Sequence, residues 1–318
     1  MTELRMLPRA VDGSGYRLGA PQRAGALTMV PVFGPAYPGI VPPRHGLKLG
    51  RVVTYGQVEL TNPAGSGVAI VPLHVGYIQD AAQNHALCRS AFIAAGQTLR
   101  FDDACCVQES QGGYLAGRED QWFFVLPVEL RAAALRLRAT ANYSKLWGDI
   151  AAFNRRYGLP ARGHLEQVLT RQRAGLTQYR SRLERLEGQL GALFFVGDSL
   201  AGVEIAPDPE YFADVWAALA CFAYGPAAWF SAEPAGDDTP LAGDSVDGLR
   251  AALAARRGAR ADEVRGWLAA APWVPGELVE EERYLDLRLS TVDGGAVAGQ
   301  VVTDGSRLVY ASLFAAAG

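Results

Sequence analysis

Hydrophobic and polar positions divide the chain into a strand-like first part and a helical middle, and strand patterning returns at the end. Up to Leu126, short apolar or alternating runs stand at Ala26–Phe33, Val52–Tyr55, Gln57–Leu60, Val68–Val75, Cys88–Ile93 and Thr98–Phe101. Clusters of Gly, Pro and Asn separate them, which is the punctuation of β-structure. Asn62-Pro63-Ala64-Gly65 predicts a hairpin turn before Val68, and Gly96-Gln97 predicts a turn before Thr98. Proline and glycine crowd residues 34–46 (GPAYPGIVPPRHG), so this stretch reads as an ordered, non-helical loop. Residues 1–15 carry no periodicity and read as an arm.

The period then lengthens. Ser144 is placed to cap a helix over Lys145–Tyr157 that puts Leu146, Trp147, Ile150 and Phe153 on one face and stops at Gly158-Leu159-Pro160. A second helical region covers roughly 163–187. Its Leu165, Leu169, Leu176, Tyr179, Leu183, Leu186 and Leu190, with Gln172, follow a 4-3 spacing like a coiled-coil seam. Two outcomes fit that spacing: a bent helical hairpin packed on its own domain, with Gly175 at the bend, or a homo-oligomer seam through Leu165–Leu190. Ala192–Val196, Gly197-Asp198 and Leu200–Ile205 form a hairpin pattern, and Pro207-Asp208-Pro209-Glu210 opens a helix burying Tyr211, Phe212, Val215, Trp216 and Leu219.

Residues 231–248 are acidic and rich in Gly and Pro, a surface loop. Short helices near Val246–Arg257 and Asp262–Ala270 and strands at Tyr284–Thr291, Val297–Thr303 and Arg307–Phe314 complete the pattern. Strand-rich (16–126) and helix-rich (144–187) regions are segregated without a βαβ rhythm. The expected fold is therefore α+β, with curved, mainly antiparallel, sandwich-like sheets and a packed helical layer, in one domain over 16–318.

One polar stretch interrupts the apolar strands. Gln79-Asp80-Ala81-Ala82-Gln83-Asn84-His85 puts amides, a carboxylate and an imidazole between Val75 and Cys88, and Gln108-Glu109 follows the later Cys106-Val107. Polar residues between buried strands are a common place for a binding site. Amides suit recognition of a base or ribose edge, and His85 suits a phosphate or acid–base work. The candidate ligand-binding set is thus Asp80, Gln83, Asn84, His85, Gln108 and Glu109. The alternative is that the amides satisfy buried backbone groups at a sheet irregularity.

These residues also carry a likeness. With Ala81, Gln83 and Asn84 in place and Cys106-Val107 in the second motif, the stretch resembles the ADP-ribosylglycohydrolase- and rhodanese-phosphatase-associated domain family. Trp147 and Asp149 match a short motif on its first helix. The paired glutamates of the family pattern fall on Gly76 and Tyr77, its lysine on Ala82 and its arginine on His85. Its Glu-Gln order is inverted as Gln108-Glu109, Gly112-Gly113 form an insertion, and Tyr310 stands where the family often has a histidine. The resemblance implies a nucleotide or ADP-ribose-type ligand, and the eroded charged half implies little or no turnover. Three readings stay open: a binding or interaction module, a self-assembling scaffold, and a hydrolase of ADP-ribose-type substrates.

Composition narrows the partners. At 318 residues, 49% hydrophobic and 20% charged, the chain is of ordinary globular make-up. A net charge of −3 argues against a nucleic-acid binder. Only Lys48 and Lys145 among the 30 basic residues are lysines. No apolar run approaches the roughly 18 residues of a membrane span, and Met1–Gly15 lacks the apolar region of a secretory signal. Cys88, Cys105, Cys106 and Cys221 make no disulfide framework, so a reducing cytoplasmic setting is expected. There is no CxxC, GxSxG, GxxxxGK[ST] or strand-to-helix GxGxxG. No metal or cofactor is expected, and no catalytic residue is assigned. Cys106, beside Asp102 and Asp103, reads as a buried structural thiol rather than a nucleophile.

Overall fold

The computed structural model describes residues 15–78, 84–109, 122–165, 167–231, 243–270, 277–293 and 295–316. Its largest sheet has nine strands. Its path runs Arg17–Leu18, Leu27–Phe33, Gln189–Val196, Ser199–Ile205, Arg307–Ala315, Val297–Asp304, Leu287–Asp293 and Glu277–Tyr284, and Gln22–Ala24 adds to Leu27–Phe33. Every pair in it is antiparallel.

The side-chain period of two divides this sheet between two cores. Leu27, Met29, Phe194 and Val302 face the larger core, while Val30, Val32, Leu193, Phe195, Val203 and Val301 face a second one. Helices Val128–Arg136 and Pro209–Ala218 pack on the first face. The helix Val246–Ala270 closes the second through Val264, Trp267 and Leu268. This is the expected α+β architecture of antiparallel sheets with a helical layer.

The strand-rich region is partitioned differently from expectation. Residues 17–33 join the large sheet, and the strands of 40–125 form three smaller ones. Asn62 is the reason the predicted hairpin at Asn62–Gly65 does not form. Its N–H donates to Gln97 O at 3.0 Å and its Nδ2 to Ile93 O at 2.9 Å, tying it to the second predicted turn instead. Gln57–Thr61 therefore pairs with Thr98–Phe101, while Val68–Ile70 pairs with Phe92–Ala94. Ile40–Val41 runs parallel to Val68–Ile70.

Other expectations shift with local chemistry. The Pro-rich loop 34–46 does hold one helical turn, Pro43–Gly46, because proline is tolerated in a first turn whose N–H groups are unpaired. The helix expected from Ser144 spans Trp147–Arg156 after Leu146. Asn142 Oδ1 accepts from both Ser144 N and Ser144 Oγ, which occupies the hydroxyl that was to cap. Helix Val128–Arg136 has no counterpart in the sequence reading, since its run of alanines carries little periodic contrast.

The region 163–187 is not a two-helix hairpin. It is a π-turn at Gln167–Arg171 followed by the short helices Arg173–Leu176 and Gln178–Arg182. Leu165, Leu169, Leu176, Tyr179, Leu183 and Leu190 are all buried within the chain, so the 4-3 pattern serves intramolecular packing. The two helices expected after residue 246 are one of 25 residues. Gly258 costs about 1 kcal/mol relative to alanine in a helix interior, and the flanking Ala and Arg residues tolerate it.

Hairpin Gln189–Val196/Ser199–Ile205 turns at Gly197 (φ 64°), as expected. Asp208 caps helix Pro209–Ala218 by accepting from Tyr211 N at 2.8 Å. The acidic strand Glu277–Tyr284 was hidden by its charges, which suit an exposed sheet edge. Of the expected acidic loop, residues 232–242 lie outside the described residues. Among the described residues no helix is long and apolar enough to cross a membrane.

Candidate functional site

The last residue of the polar stretch, His85, belongs to a four-stranded sheet ordered Cys105–Cys106, His85–Ala86, Val75–Ile78, Trp122–Val125. Cys106 and Tyr77 flank His85, and Gly76 lies opposite Ala86. Asp80 and Gln83 lie outside the described residues. The other four candidates meet at one junction.

Asn84 N donates to Gln108 Oε1 at 2.7 Å, and Val107 N donates to Asn84 O at 2.9 Å. His85 is buried, and its Nε2 accepts from Gly56 N at 3.2 Å, so the ring proton sits on Nδ1. Glu109 Oε2 accepts from Gly163 N at 2.7 Å, and its carbonyl accepts from His164 Nδ1 at 2.9 Å. Trp147 Nε1 donates to Cys106 O at 3.0 Å, and its side chain fills the space a Cβ on Gly163 would need. These contacts join strands, a helix and the 163–164 turn through backbone groups that would otherwise be buried unpaired.

Packing accounts for Gly76 and Tyr77 beside this junction. A Cβ on Gly76 would lie 2.4 Å from Phe124 Cζ, so the Phe124 ring occupies the room of a side chain at that position. Tyr77 is buried, and burial pushes its hydroxyl pKa far up. Burial also raises the Cys106 thiol, which donates to Gln108 O at 3.4 Å.

A second polar cluster escaped the sequence reading. Arg131, from helix Val128–Arg136, is fully buried. Its Nη1 donates to Glu204 Oε1 at 2.6 Å and to Tyr224 Oη at 3.2 Å. Its Nη2 donates to Ser312 Oγ, and that hydroxyl donates to Glu204 Oε2 at 2.6 Å. Its Nε donates to His74 Nδ1 at 3.2 Å, and its guanidinium lies 4.5 Å from the Phe314 ring centre. Burial opposes the charge on Arg131, but Glu204 and Tyr224 outweigh it and the guanidinium pKa is raised.

His74 is the strained member, with φ 61° and complete burial. Because Nδ1 accepts from Arg131, the proton sits on Nε2, which has no hydrogen-bond partner among the described residues. Burial and Arg131 hold the imidazole pKa well below its ordinary value. Beside the cluster, Glu204, Tyr211, Tyr310 and Ser312 line a cavity of about 20 Å³. That is room for about one water molecule. Tyr310 Oη accepts from Leu73 N at 2.9 Å, and burial pushes its pKa up to about 12. The available signal was Glu204, a lone carboxylate in the apolar strand Ser199–Ile205.

The model of the ARG and Rhodanese-Phosphatase-superfamily-associated Protein domain matches residues 15–314. The chain belongs to that family. No curated protein and no solved structure matches it significantly. The family's span includes both polar clusters, and Tyr310 borders the Arg131 centre.

Proposed function

We propose that this family member is a binding module that takes a nucleotide or ADP-ribose-type ligand and does not turn it over. What supports the absence of turnover is how the motif region uses its polar side chains. Gln108, His85 and Glu109 each hold a backbone N–H, of Asn84, Gly56 and Gly163 respectively. The neighbouring Cys106 thiol is buried with a raised pKa, the opposite of an activated nucleophile. The ligand class rests on family membership and on the amide, imidazole and carboxylate chemistry of Asp80, Gln83, Asn84, His85, Gln108 and Glu109.

A screen of ADP-ribose, NAD and related nucleotides by thermal shift, with depletion followed in the same wells, tests the proposal. Ligand at about 100 times its dissociation constant stabilises by roughly 2.7 kcal/mol, on the order of several degrees in melting temperature. A shift without depletion supports a binding module. Depletion supports the hydrolase reading instead. No shift with any nucleotide leaves a scaffold role, for which light scattering across micromolar concentrations reads self-association directly.

A further inference from the structure

A surface cleft of about 240 Å³ lies away from both clusters, between the turn Ala24-Gly25-Ala26, the helix Gln178–Arg182 and the segment Ala228–Ser231. Its floor is small side chains at a turn where Gly25 has φ 59°. Gln178 and Arg182 are one helical turn apart, so both project from one face. Both are exposed, and neither side chain has a hydrogen-bond or ion-pair partner among the described residues. Across from them Trp229 is 43% exposed. It stands close because Gly175 has no side chain: a Cβ there would meet the six-membered ring at 2.6 Å.

The walls are held before any ligand arrives. Gln22 Nε2 donates to Glu184 O at 2.8 Å and Gln22 Oε1 accepts from Glu184 N at 2.6 Å, fastening the end of the Arg182 wall to the floor strand. On the other side Phe230 stacks on Tyr157 with ring centres 3.9 Å apart. Among the described residues no carboxylate lines the cleft, and Arg171, Arg173, Arg180 and Arg182 lie between Gln167 and Leu183 with no acidic residue among them.

We infer that this cleft binds a phosphorylated compound with a flat ring, of mononucleotide size, its ring against Trp229 and its phosphate on Arg182. An indole face accepts a planar ring by stacking, an unpaired guanidinium matches phosphate as a two-pronged donor, and the Gln178 amide can both donate and accept at a ring edge. The volume falls below the roughly 300–1,000 Å³ of common ligand pockets, which fits one nucleotide and excludes full enclosure of a dinucleotide. The inference goes beyond the binding reading above by adding a site apart from the junction of Asn84, His85, Gln108 and Glu109, and rests on that reading only for the nucleotide class.

The test is calorimetric titration of the full chain with AMP, adenosine and inorganic phosphate, repeated on Arg182→Ala and Trp229→Leu. Unliganded melting temperatures check that the variants fold, and the exposed Arg182→Ala is the safer of the two. The expected result is AMP binding weakened at least tenfold by either change, with adenosine weaker than AMP and insensitive to Arg182→Ala. AMP bound equally by wild type and both variants would overturn the cleft while leaving the binding function standing. Inorganic phosphate bound as tightly as AMP would overturn the role of Trp229. No AMP binding by the wild type overturns the cleft, and if ADP-ribose and NAD also fail, the binding function falls with it.

Discussion

Arg131 and Glu204 are paired at 2.6 Å in the interior of the protein, with side-chain exposures of 0% and 6%. They come from a helix and a strand 73 residues apart in sequence, and Ser312 and Tyr224 complete the hydrogen bonds of the carboxylate. Removing one partner leaves the other charge buried without compensation. Glu204→Gln is expected to destabilise by about 3–5 kcal/mol, read as a lower midpoint in urea unfolding. A double-mutant cycle with Arg131→Met should recover part of the loss. Strict additivity would show that the two side chains do not act as a pair.

His74 gives a pH signature of known sign. Its folded pKa lies well below 6.5, so the unfolded chain binds a proton that the folded chain refuses. Stability from this group is intact above about pH 6.5 and declines as pH falls from there toward the folded value. Arg131 is the charge that faces the ring, and its hydrogen bond to Nδ1 persists only while the ring is neutral. His74→Asn keeps a residue type that tolerates the left-handed backbone and removes the titration. Its stability-against-pH curve should lack the wild-type slope in that window, and an unchanged slope would assign the effect to another group.

Gln108→Ala tests whether the motif region is a backbone latch. It removes the acceptor of a buried backbone N–H, that of Asn84. An unpaired buried donor costs about 1–3 kcal/mol, visible as a fall in melting temperature. A variant as stable as wild type would show that the amide is held for another purpose.

All four thiols are buried. Cys105 lies opposite Ala86 in the strand pair. Lys145 Nζ is fixed nearby by the carbonyls of Asp103, Leu137 and Thr140. The hydrogen bond from Cys105, helped by Lys145, lowers the Cys88 pKa. Exposure limits reactivity more than pKa does here, so a thiol reagent should label none of the four in the native protein within minutes. Full labelling is expected in denaturant. Rapid native labelling that Cys88→Ser abolishes would show that this thiol opens to solvent.

What was legible in the sequence was local. Asp208 ahead of Pro209 marked a helix start, and Gly197-Asp198 between apolar runs marked a hairpin, because each signal lies within a few residues of its effect. Partnership across the chain was not legible. Nothing near Asn62 tells that its amide reaches Ile93, so the predicted hairpin turn at Asn62–Gly65 and the turn at Gly96-Gln97 both connect different sheets. The junction of Asn84, His85, Gln108 and Glu109 was visible as a polar interruption, whereas Arg131 lies in an alanine-rich stretch whose pattern announced no element. Its burial is decided by Glu204 and Ser312, which approach from strands that only the tertiary fold brings there.

The order of the large sheet has a consequence for biosynthesis. Arg307–Ala315 is the last of its strands to be translated, yet it lies inside the sheet, between Ser199–Ile205 and Val297–Asp304. Until it emerges, Ser199–Ile205 lacks a neighbour on one side, and Glu204 and Arg131 lack Ser312. Long-range pairing of this kind forms slowly, because the entropy of closing the loop precedes the contacts that reward it. A chain cut short before residue 307 therefore has an unpaired strand edge in the middle of this sheet, the kind of surface that chaperones hold and proteases find.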